Sequence, residues 1–330
     1  MSDAYRAAGV DTEAAAKAVA LIGDLAATTR RREVADAVGG FAGLFDIGGE
    51  RLLAAAADGV GTKLEIARAT GRLATVGVDL VAMCADDVVC TGAEPLFFLD
   101  YLSVGRVVPE RIAAIVEGIA RGCRIAGCAL LGGETAEHPG VMNEDAFDLA
   151  GFCVGVVASA DRLGPERVRL GDALIGLPSS GLHANGFSLV RRLFAGDDLD
   201  EGVPELGRPL VDELLEPCRI YVGDVLRLHR AGLVRSAAHV TGGGFLENIP
   251  RALPDGIGAR VDRGTWVELP IFDLIRRRGG LSDEDLFATF NMGIGMVVVV
   301  SDEDAEAVIG QVEGAVRIGE VVGTSGVRIV

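Results

Sequence analysis

The stretch D-G-V-G-T-K occupies residues 58–63 and combines an aspartate, two glycines, a threonine hydroxyl and a lysine. Phosphate-binding sites use these residue types, but the spacing excludes the two common glycine-rich loops. A P-loop needs a lysine directly after a glycine, and here Thr62 stands between Gly61 and Lys63. A dinucleotide-binding turn needs a third glycine, and Leu64 stands in that place. The stretch alone leaves its chemistry open, so the rest of the chain has to decide it.

The composition narrows the class of protein. The chain has 330 residues, of which 49% are hydrophobic, and this is enough for two medium-sized cores. Its net charge of -17 opposes binding to nucleic acid, because phosphate backbones attract lysine and arginine. The start lacks the apolar core of a signal peptide, and no apolar stretch is long enough to span a bilayer. Six cysteines without a C-x-x-C pair are typical of buried thiols. We therefore expect a cytoplasmic protein without nucleic-acid or membrane partners.

The first half begins with a predicted helix followed by a glycine-rich segment. An alanine-rich pattern over residues 12–29 predicts a helix, with Asp11 as its N-cap. The segment G-G-F-A-G-L-F-D-I-G-G at 39–49 predicts a loop that either closes over a ligand or simply lies on the surface. Residues 51–57 are apolar and predict a buried strand that leads directly into D-G-V-G-T-K.

The chain divides near its middle. Charged and turn residues gather at 160–172, where we place the boundary between domains at 1–165 and 166–330. Predicted strands alternate with predicted helices on both sides of this boundary. This alternation favours an α/β or α+β fold over an all-β fold.

Carboxylates are the first set of candidate functional residues. They lie near predicted strand ends, in one helix and in a predicted glycine-rich loop: Asp58, Asp79, Asp86, Asp87, Glu134 and Glu137. Mg²⁺ takes one or two carboxylates together with substrate phosphates and water. Adjacent residues on a helix diverge by about 100°, so Asp86 and Asp87 do not both point at one site. Any one of these residues could be a helix cap or an exposed charge, but the group, together with Lys63, indicates a metal and phosphate site.

Two loops in the second half form the other set. S-S-G-L-H-A-N-G at 179–186 and H-V-T-G-G-G-F at 239–245 each place glycines and hydroxyls before a predicted helix. Exposed backbone N–H groups and the helix dipole make such loops suitable for anions. His183 and His239 lie in these loops, and either could be structural or catalytic. These residues indicate a two-domain enzyme that handles phosphate, without identifying its substrate.

Eight motifs follow one another along the chain, and each alone is only moderately specific. They are DGVGTK, GVDLVAMC with the acidic pair after it, GAEPLFFLDYL, GGETAEHPG, AGFCVGVV, SSGLHANGFSLVR, HVTGGGFLENIPR and TFNMGIGM. In this order they resemble the phosphoribosylformylglycinamidine cyclo-ligase family, the aminoimidazole ribonucleotide synthetases of de novo purine synthesis. The resemblance runs from about Tyr5 to the C-terminus.

The resemblance implies a fold, a reaction and ligands. The implied fold is α/β (α+β) with two domains: an N-terminal domain that pairs its strands across a homodimer, and a C-terminal α/β sandwich. ATP and Mg²⁺ would bind at the N-terminal domain, and formylglycinamidine ribonucleotide would bind toward the C-terminal loops. The implied reaction gives aminoimidazole ribonucleotide, ADP and phosphate through an iminophosphate intermediate.

The resemblance also implies roles for individual residues. Asp58 and Asp87 match the Mg²⁺ ligands, but many family members have Asn where this chain has Asp86, which leaves Asp86 open as the ligand instead. The implied nucleotide contacts are Asp58, Gly59, Gly61, Thr62, Lys63, Asp79, Gly132, Gly133 and Glu134. The implied contacts with the ribonucleotide are Ser179, Ser180, Gly181, His183, Asn185, Thr241, Gly242, Gly243 and Gly244. We expect catalytic roles for Lys63 and for His183 as general acid/base, with His239 as the second candidate.

Several related classes compete with this interpretation. Thiamine-phosphate kinases share the architecture and are the closest alternative in chemistry. A selenophosphate synthetase would carry a cysteine in the N-terminal glycine loop, whereas the first cysteine here is Cys84. A non-catalytic homologue that only binds nucleotide is the alternative from a different class. It would be expected to lose the lysine or the acidic residues, and this chain has both.

Overall fold

The computed structural model describes residues 12–35 and 39–330. Each half of the chain contributes one mixed β-sheet, of five strands in the first half and six in the second. The first sheet ends at Ala158 and the second begins at Ala173. The segment between them contains a short 3₁₀ turn, Pro165–Arg167. Helices pack on both sheets, so both halves mix helices and strands as the sequence predicts.

The first half begins with helix α1, Thr12–Ala27, which ends two residues before the predicted end. The predicted N-cap, Asp11, lies outside the described residues. The sheet has the order β1-β2-β5-β3-β4. Its strands are β1 (Gly43–Gly48), β2 (Arg51–Gly59), β3 (Glu94–Val104), β4 (Ala129–Glu137) and β5 (Phe147–Ala158). The glycine-rich segment at 39–49 is therefore only partly a loop, since β1 pairs with β2 in antiparallel register.

Three helices complete the first half: α2 (Lys63–Thr70), α3 (Ala74–Val89) and α4 (Pro109–Ala126). α3 is buried almost all round, because it lies between the sheet, α4 and the second half. α3 and α4 approach closely at Gly118, where an added Cβ would lie 1.9 Å from the carbonyl oxygen of Ala74. This close packing holds α3 against the sheet and fixes the direction of its aspartates.

The structure corrects the predicted loop that carries Gly132, Gly133 and Glu134. Strand β4 continues through these residues to Glu137, at the edge of the sheet and parallel to β3. A Cβ on Gly133 would lie 1.5 Å from Oδ1 of Asp100, so this glycine allows the close approach of β3. The prediction failed because glycines are uncommon in strands unless a neighbouring group comes this close.

The second half is built on a sheet of order β13-β10-β12-β6-β11-β9. Its strands are β6 (Ala173–Pro178), β9 (Ser236–His239), β10 (Gly258–Val261), β11 (Ile294–Val300), β12 (Val316–Val322) and β13 (Gly326–Ile329), and a separate ribbon joins β7 (Gly202–Val203) to β8 (Arg208–Pro209). Its helices are α5 (Phe187–Leu193), α6 (Leu210–Leu214), α7 (Val222–Arg230), α8 (Gly244–Asn248), α9 (Pro270–Gly279), α10 (Asp283–Phe287) and α11 (Ala305–Ile309). Every residue of β11 is buried, as expected for a strand covered on both faces.

Two buried aspartates of α3 hold the two halves together. Oδ1 of Asp79 accepts a hydrogen bond of 2.7 Å from the backbone N–H of Cys218. Oδ1 of Asp86 accepts one of 2.8 Å from the backbone N–H of Tyr221. The segment that enters α7 is thereby fixed against α3. None of the helices in the described part of the chain is long and apolar enough to cross a membrane.

Candidate functional site

A cleft of about 610 Å³ separates the two halves. From the first half it is lined by the end of β2 with the following turn, residues 58–62, and by 148–150 of β5. From the second half it is lined by 184–188, at the start of α5, and by Thr241 and Gly242. The D-G-V-G-T-K stretch and both glycine-rich loops of the second half therefore meet at one cleft.

Asp58 stands where β2 enters the cleft. Its Oδ1 accepts a 2.7 Å hydrogen bond from the backbone N–H of Gly59, which fixes the carboxylate at the strand end. Burial raises the pKa of Asp58, the Gly59 N–H partly opposes this, and the charge of Asp87 raises it further. A half-buried carboxylate at the cleft wall that feels a second negative charge is a suitable place for a cation.

Asp87 is the aspartate of the acidic pair that belongs to this region. Its Oδ1 lies 3.0 Å from Nδ1 of His239, which the last residue of β9 supplies from the second half. Burial lowers the pKa of His239, but the hydrogen bond to Asp87 and the charges of Asp87, Asp86 and Asp58 outweigh it, so the pKa is raised. Charge interactions therefore couple Asp58, Asp87 and His239, which we call the charged group.

Asp86 points away from this group. Its side chain is fully buried and holds the backbone N–H of Tyr221, as described above. Burial raises the pKa of Asp86 to about 7, although the charge of His239 and the N–H of Tyr221 lower it. The helical divergence expected for Asp86 and Asp87 is present. Asp87 does not line the cleft itself, but its side chain is partly exposed, so it is more available to a ligand than the fully buried Asp86.

The carboxylates fit Mg²⁺ better than a metal that needs a complete protein cage. In residues 12–35 and 39–330, no cluster of three or more His, Cys, Asp or Glu side chains is arranged to hold a metal ion. Mg²⁺ is commonly held by one or two carboxylates, with phosphate oxygens and water completing the shell. Asp58 and Asp87 could supply such a pair, provided that a phosphate ligand supplies the rest.

Lys63, the predicted phosphate contact, does not line the cleft. Its ammonium group is fully buried and lies 2.8 Å from Oδ2 of Asp79. It also donates hydrogen bonds to the backbone carbonyls of His183, at 2.9 Å, and Glu216, at 2.8 Å. The ion pair and the two hydrogen bonds hold the ammonium group inside the junction of the halves. The same pair holds Asp79, a predicted nucleotide contact, in this junction and outside the cleft lining.

The ring of His183 is also turned away from the cleft. The residue is buried, and its Nε2 accepts a 3.2 Å hydrogen bond from the backbone N–H of Ser180. Burial lowers the pKa of His183 well below its ordinary value, and the charges of His239 and Lys63 lower it further. A neutral ring held in this way stabilises its own loop, so the geometry does not support the predicted acid/base role. His239 is buried as well and does not line the cleft.

The other predicted contacts of the second half divide into two groups. Asn185, Thr241 and Gly242 line the cleft, and the Asn185 side chain lies beside Gly242. Ser179 and Ser180 instead form hydrogen bonds within the protein, to the carbonyls of Gly181 at 3.0 Å and Pro217 at 2.6 Å, respectively. The remaining predicted contacts of these loops lie outside the cleft lining: Gly181, Gly243 and Gly244.

The predicted contacts of the first half divide in a similar way. Of the predicted nucleotide contacts, Asp58, Gly59, Gly61 and Thr62 line the cleft. The β4 residues Gly132, Gly133 and Glu134 do not line it, and all three are exposed.

Sequence reasoning missed two polar residues of the cleft. Asp148 lies on β5, and its presence within an apolar strand was the available signal. Ser188 lies in the first turn of α5, and its Oγ is 3.2 Å from Oγ1 of Thr62 across the cleft. These two hydroxyls bring the two halves into direct contact at the cleft.

Arg251 connects the glycine-rich segment to the second half. Its guanidinium lies 3.9 Å from the ring centroid of Phe41 and donates to the carbonyl of Gly40 at 2.8 Å. Arg251 also lowers the pKa of Asp58 through its charge. The segment therefore lies against the second half, outside the cleft lining.

Two family models match the chain and together span both domains. "AIR synthase related protein, N-terminal domain" matches residues 39–157, and "AIR synthase related protein, C-terminal domain" matches residues 169–330. The chain belongs to the AIR synthase related family. Together with the named relatives described next, these matches confirm the family resemblance drawn from the eight motifs and the two-domain α/β (α+β) fold.

Named relatives of this family match the chain over its full length. A phosphoribosylformylglycinamidine cyclo-ligase from Shouchella clausii is 52% identical over 340 residues, covering 100% of this chain and 99% of that protein. One from Geobacillus kaustophilus is 51% identical over 338 residues, covering 99% and 98%. Both similarities extend through the two domains.

Solved structures of the AIR synthase fold are more distant in sequence. "AaThiL complexed with AMPPCP and TMP" has a TM-score of 0.66 at 16% identity, covering 94% of this chain and 92% of that chain. The thiamine-monophosphate kinase from Stenotrophomonas maltophilia K279a has a TM-score of 0.62 at 21% identity, covering 92% and 93%. At these identities the likeness establishes the fold alone.

Proposed function

We propose that this chain catalyses the ATP-dependent cyclisation of formylglycinamidine ribonucleotide to aminoimidazole ribonucleotide, with release of ADP and phosphate. The proposal rests on sequence identity. About half of the residues, along the whole chain, are identical to those of relatives that are named for this cyclo-ligase activity. The cleft supports it, because carboxylates of one domain face glycine-rich loops of the other. Such a reaction belongs to purine biosynthesis and makes the chain an ATP-dependent ligase.

The reaction has to make a poor electrophile reactive. An amide carbonyl resists attack, but transfer of the γ-phosphoryl group of ATP to its oxygen gives an iminophosphate with a good leaving group. The amidine nitrogen of the same molecule then attacks this carbon, and phosphate leaves as the imidazole ring closes. Because the closure is intramolecular, the protein contributes mainly by holding the substrate in a folded conformation.

We assign the charged group to the phosphoryl transfer. Asp58 and Asp87 would hold Mg²⁺, which neutralises charge on the transferred phosphoryl group when bound. His239 would act as a positioning residue, since its 3.0 Å contact with Asp87 fixes the direction of that carboxylate. Thr62, Ser188 and Thr241 line the cleft and would offer hydroxyl donors to phosphate oxygens.

The ribonucleotide would lie across the second-half side of the cleft. Asn185 and Gly242 are adjacent there, and the side-chain amide with the exposed backbone can bind a phosphate or an amide. Neither His183 nor His239 lines the cleft, so we assign proton transfer during ring closure to neither of them. Lys63 and Asp79 would contribute indirectly, by fixing the loop that contains His183.

A matched pair of variants tests the metal assignment. Asp87→Asn should lower kcat at least about 100-fold and raise the Mg²⁺ concentration needed for half-maximal rate, with little effect on folding. Asp86→Asn should lower the free energy of unfolding, while kcat per folded molecule stays within a few-fold of the original. If Asp86→Asn abolishes turnover in a folded sample and Asp87→Asn does not, the assignment is wrong by one position.

The activity itself is tested by ADP release with and without formylglycinamidine ribonucleotide. One ADP and one aminoimidazole ribonucleotide should form for each substrate consumed. ATP consumption that ignores this substrate but responds to thiamine phosphate would favour the kinase alternative, which shares the fold. A folded sample that consumes no ATP under any of these conditions would favour a non-catalytic nucleotide-binding homologue.

We further propose a homodimer formed through the first sheet. The face of this sheet that turns away from α3 leaves apolar side chains exposed, including Phe152 at 47% and its cross-strand neighbour Leu99 at 36%. Apolar patches of this kind mark protein interfaces, and β4 adds an unpaired strand edge beside it. A second copy of this chain would cover the face with an identical one.

The oligomer can be measured by light scattering coupled to size exclusion. The mass should be twice the 34.2 kDa of one chain. Phe152→Asp should give a monomer, whereas Val267→Asp, at an 85% exposed apolar position in the second half, should leave the dimer intact. A monomeric wild type, or equal effects of the two variants, would contradict the proposal.

Two further assignments, of the roles of the two domains and of the cellular location, accompany this function. We propose residues 1–165 as the ATP- and Mg²⁺-binding domain and 166–330 as the domain that contributes the ribonucleotide site; the gap between the two sheets supports the division. We also propose a cytoplasmic location. All six cysteines are free thiols, which suits a reducing compartment.

A further inference from the structure

Three cysteines lie near one another where α4 meets the first sheet, and none of them lines the cleft. Cys123 lies on α4 one turn before its end, Cys128 directly precedes β4, and Cys153 lies on the face of β5 that is turned toward the helices. Cys123 and Cys153 are buried, and Cys128 is only half-buried. Both Cys123 and Cys153 lie close enough to Cys128 to influence the pKa of its thiol. The proposed reaction does not use this cluster.

The helix end explains why Cys123 and Cys128 are neighbours. α4 ends in a Schellman motif around Gly127: the N–H of Cys128 donates to the carbonyl of Cys123 at 3.0 Å, and the N–H of Gly127 donates to the carbonyl of Arg124 at 3.4 Å. This motif characteristically places the two side chains at its ends in contact. The backbone therefore holds the two thiols together independently of the rest of the fold.

Accessibility distinguishes the thiols, because Cys128 is half-buried while Cys123 and Cys153 are buried, and the pKa shifts have matching directions. Hydrogen bonds from Cys123 and then Cys153 lower the pKa of Cys128, and they outweigh its partial burial. The hydrogen bond with Cys128 and then burial raise the pKa of Cys123, and the same is true of Cys153. A partly exposed thiol with a thiolate-stabilising environment, next to a second thiol, is the arrangement found in peroxide-sensitive cysteines.

We propose that Cys128 is a site of oxidation by hydrogen peroxide, with Cys123 as the thiol that resolves it to a disulfide. The thiolate sulfur of Cys128 attacks one oxygen of hydrogen peroxide and the O–O bond breaks. Cys128 becomes a sulfenic acid, and hydroxide departs as the leaving group. The sulfur of Cys123 then attacks that of Cys128. Hydroxide leaves the sulfenic acid and takes up the Cys123 proton as water. Two thiols are oxidised by two electrons, and one peroxide is reduced. The product would link the end of α4 to the start of β4.

Peptide mapping of the reduced, full-length protein distinguishes the pairings. Cleavage after arginine places Cys123 in the tripeptide 122–124, while Cys128 and Cys153 share the peptide 125–162. After treatment with hydrogen peroxide and blocking of free thiols, a Cys123–Cys128 bond joins these two peptides, and dithiothreitol separates them. A bond inside 125–162 would contradict the assignment of Cys123. No bond at all would overturn the proposal.

Variants and an internal control complete the test. In Cys123→Ser, a sulfenic acid should persist on Cys128 and form an adduct with dimedone. In the unmodified protein, Cys128 should react with iodoacetamide at least about tenfold faster than the buried Cys218. Equal reaction rates, or a Cys123→Ser protein that forms no dimedone adduct at Cys128, would refute the proposed reactivity. These readouts do not depend on catalytic turnover, so they can fail while the proposed function stands.

Discussion

Replacing either member of the buried pair Lys63–Asp79 should destabilise the protein by several kcal/mol. Two unit charges separated by 2.8 Å attract each other by about 6 kcal/mol at an effective dielectric constant of about 20. Much of this attraction offsets the desolvation of the two groups. Removing one partner leaves the other charge buried and uncompensated, and this typically costs about 3–5 kcal/mol. Asp79→Asn isolates this effect, because the amide oxygen can still accept from Cys218.

Lys63→Met should cost a similar amount. It leaves the Asp79 charge without its partner and also removes one hydrogen bond from each of two carbonyls, of His183 and Glu216. The double variant Lys63→Met/Asp79→Asn should cost about 2–3 kcal/mol less than the sum of the single variants, because no unpaired charge remains. Urea unfolding followed by circular dichroism measures all three free energies.

The same variants decide between the two roles considered for Lys63. In the structure Lys63 joins the two halves. Its loss should therefore lower the free energy of unfolding, while the KM of the folded enzyme for ATP changes less than about threefold. Single variants that each cost under about 1 kcal/mol would refute the reasoning. A rise of more than about tenfold in the KM for ATP at unchanged stability would restore the phosphate contact that the sequence suggested.

Two further predictions concern His183 and the packing of α3 on α4. Because His183 is neutral and its pKa is lowered from 6.5, the unfolded state binds more protons below that pH, and stability is lost as the pH falls. From pH 7.5 to 5.5 the wild type should therefore lose about 1.4 kcal/mol more than His183→Asn, measured by urea unfolding; equal losses would contradict a buried neutral ring. Gly118→Ala should cost more than about 2 kcal/mol by the same assay, because its Cβ would meet the carbonyl of Ala74. The helical control Gly223→Ala, with open space around the added Cβ, should be neutral or stabilising; similar effects at both positions would refute the packing argument.

The sequence predicted the components of the site better than their contacts. Helical geometry correctly implied that Asp86 and Asp87 point in different directions. It could not show which of the two aspartates contacts His239, because His239 lies 152 residues away from Asp87 in the chain. The approach of β9 to α3 is a property of the domain junction, and no local pattern records it.

Lys63 and His183 show a second limit. The neighbouring glycines suggested a phosphate role for Lys63, but α2 begins at Lys63 itself, and its side chain enters the junction toward Asp79. His183 adopts a left-handed backbone conformation, with φ of 61°, within a loop whose glycines suggested ligand binding. Residue type predicted polar loops at the cleft, while backbone direction decided which side chains enter it.

The most direct test of the proposed reaction follows one oxygen atom. Formylglycinamidine ribonucleotide labelled with ¹⁸O at its amide carbonyl is converted by the protein with ATP and Mg²⁺, and the released phosphate is analysed by mass spectrometry. If ATP activates this carbonyl by phosphorylation, each phosphate released should carry one ¹⁸O atom, in equal amount to the aminoimidazole ribonucleotide formed. Phosphate without ¹⁸O, with the label recovered in water, would show that ring closure proceeds without phosphorylation of the amide oxygen and would contradict the account.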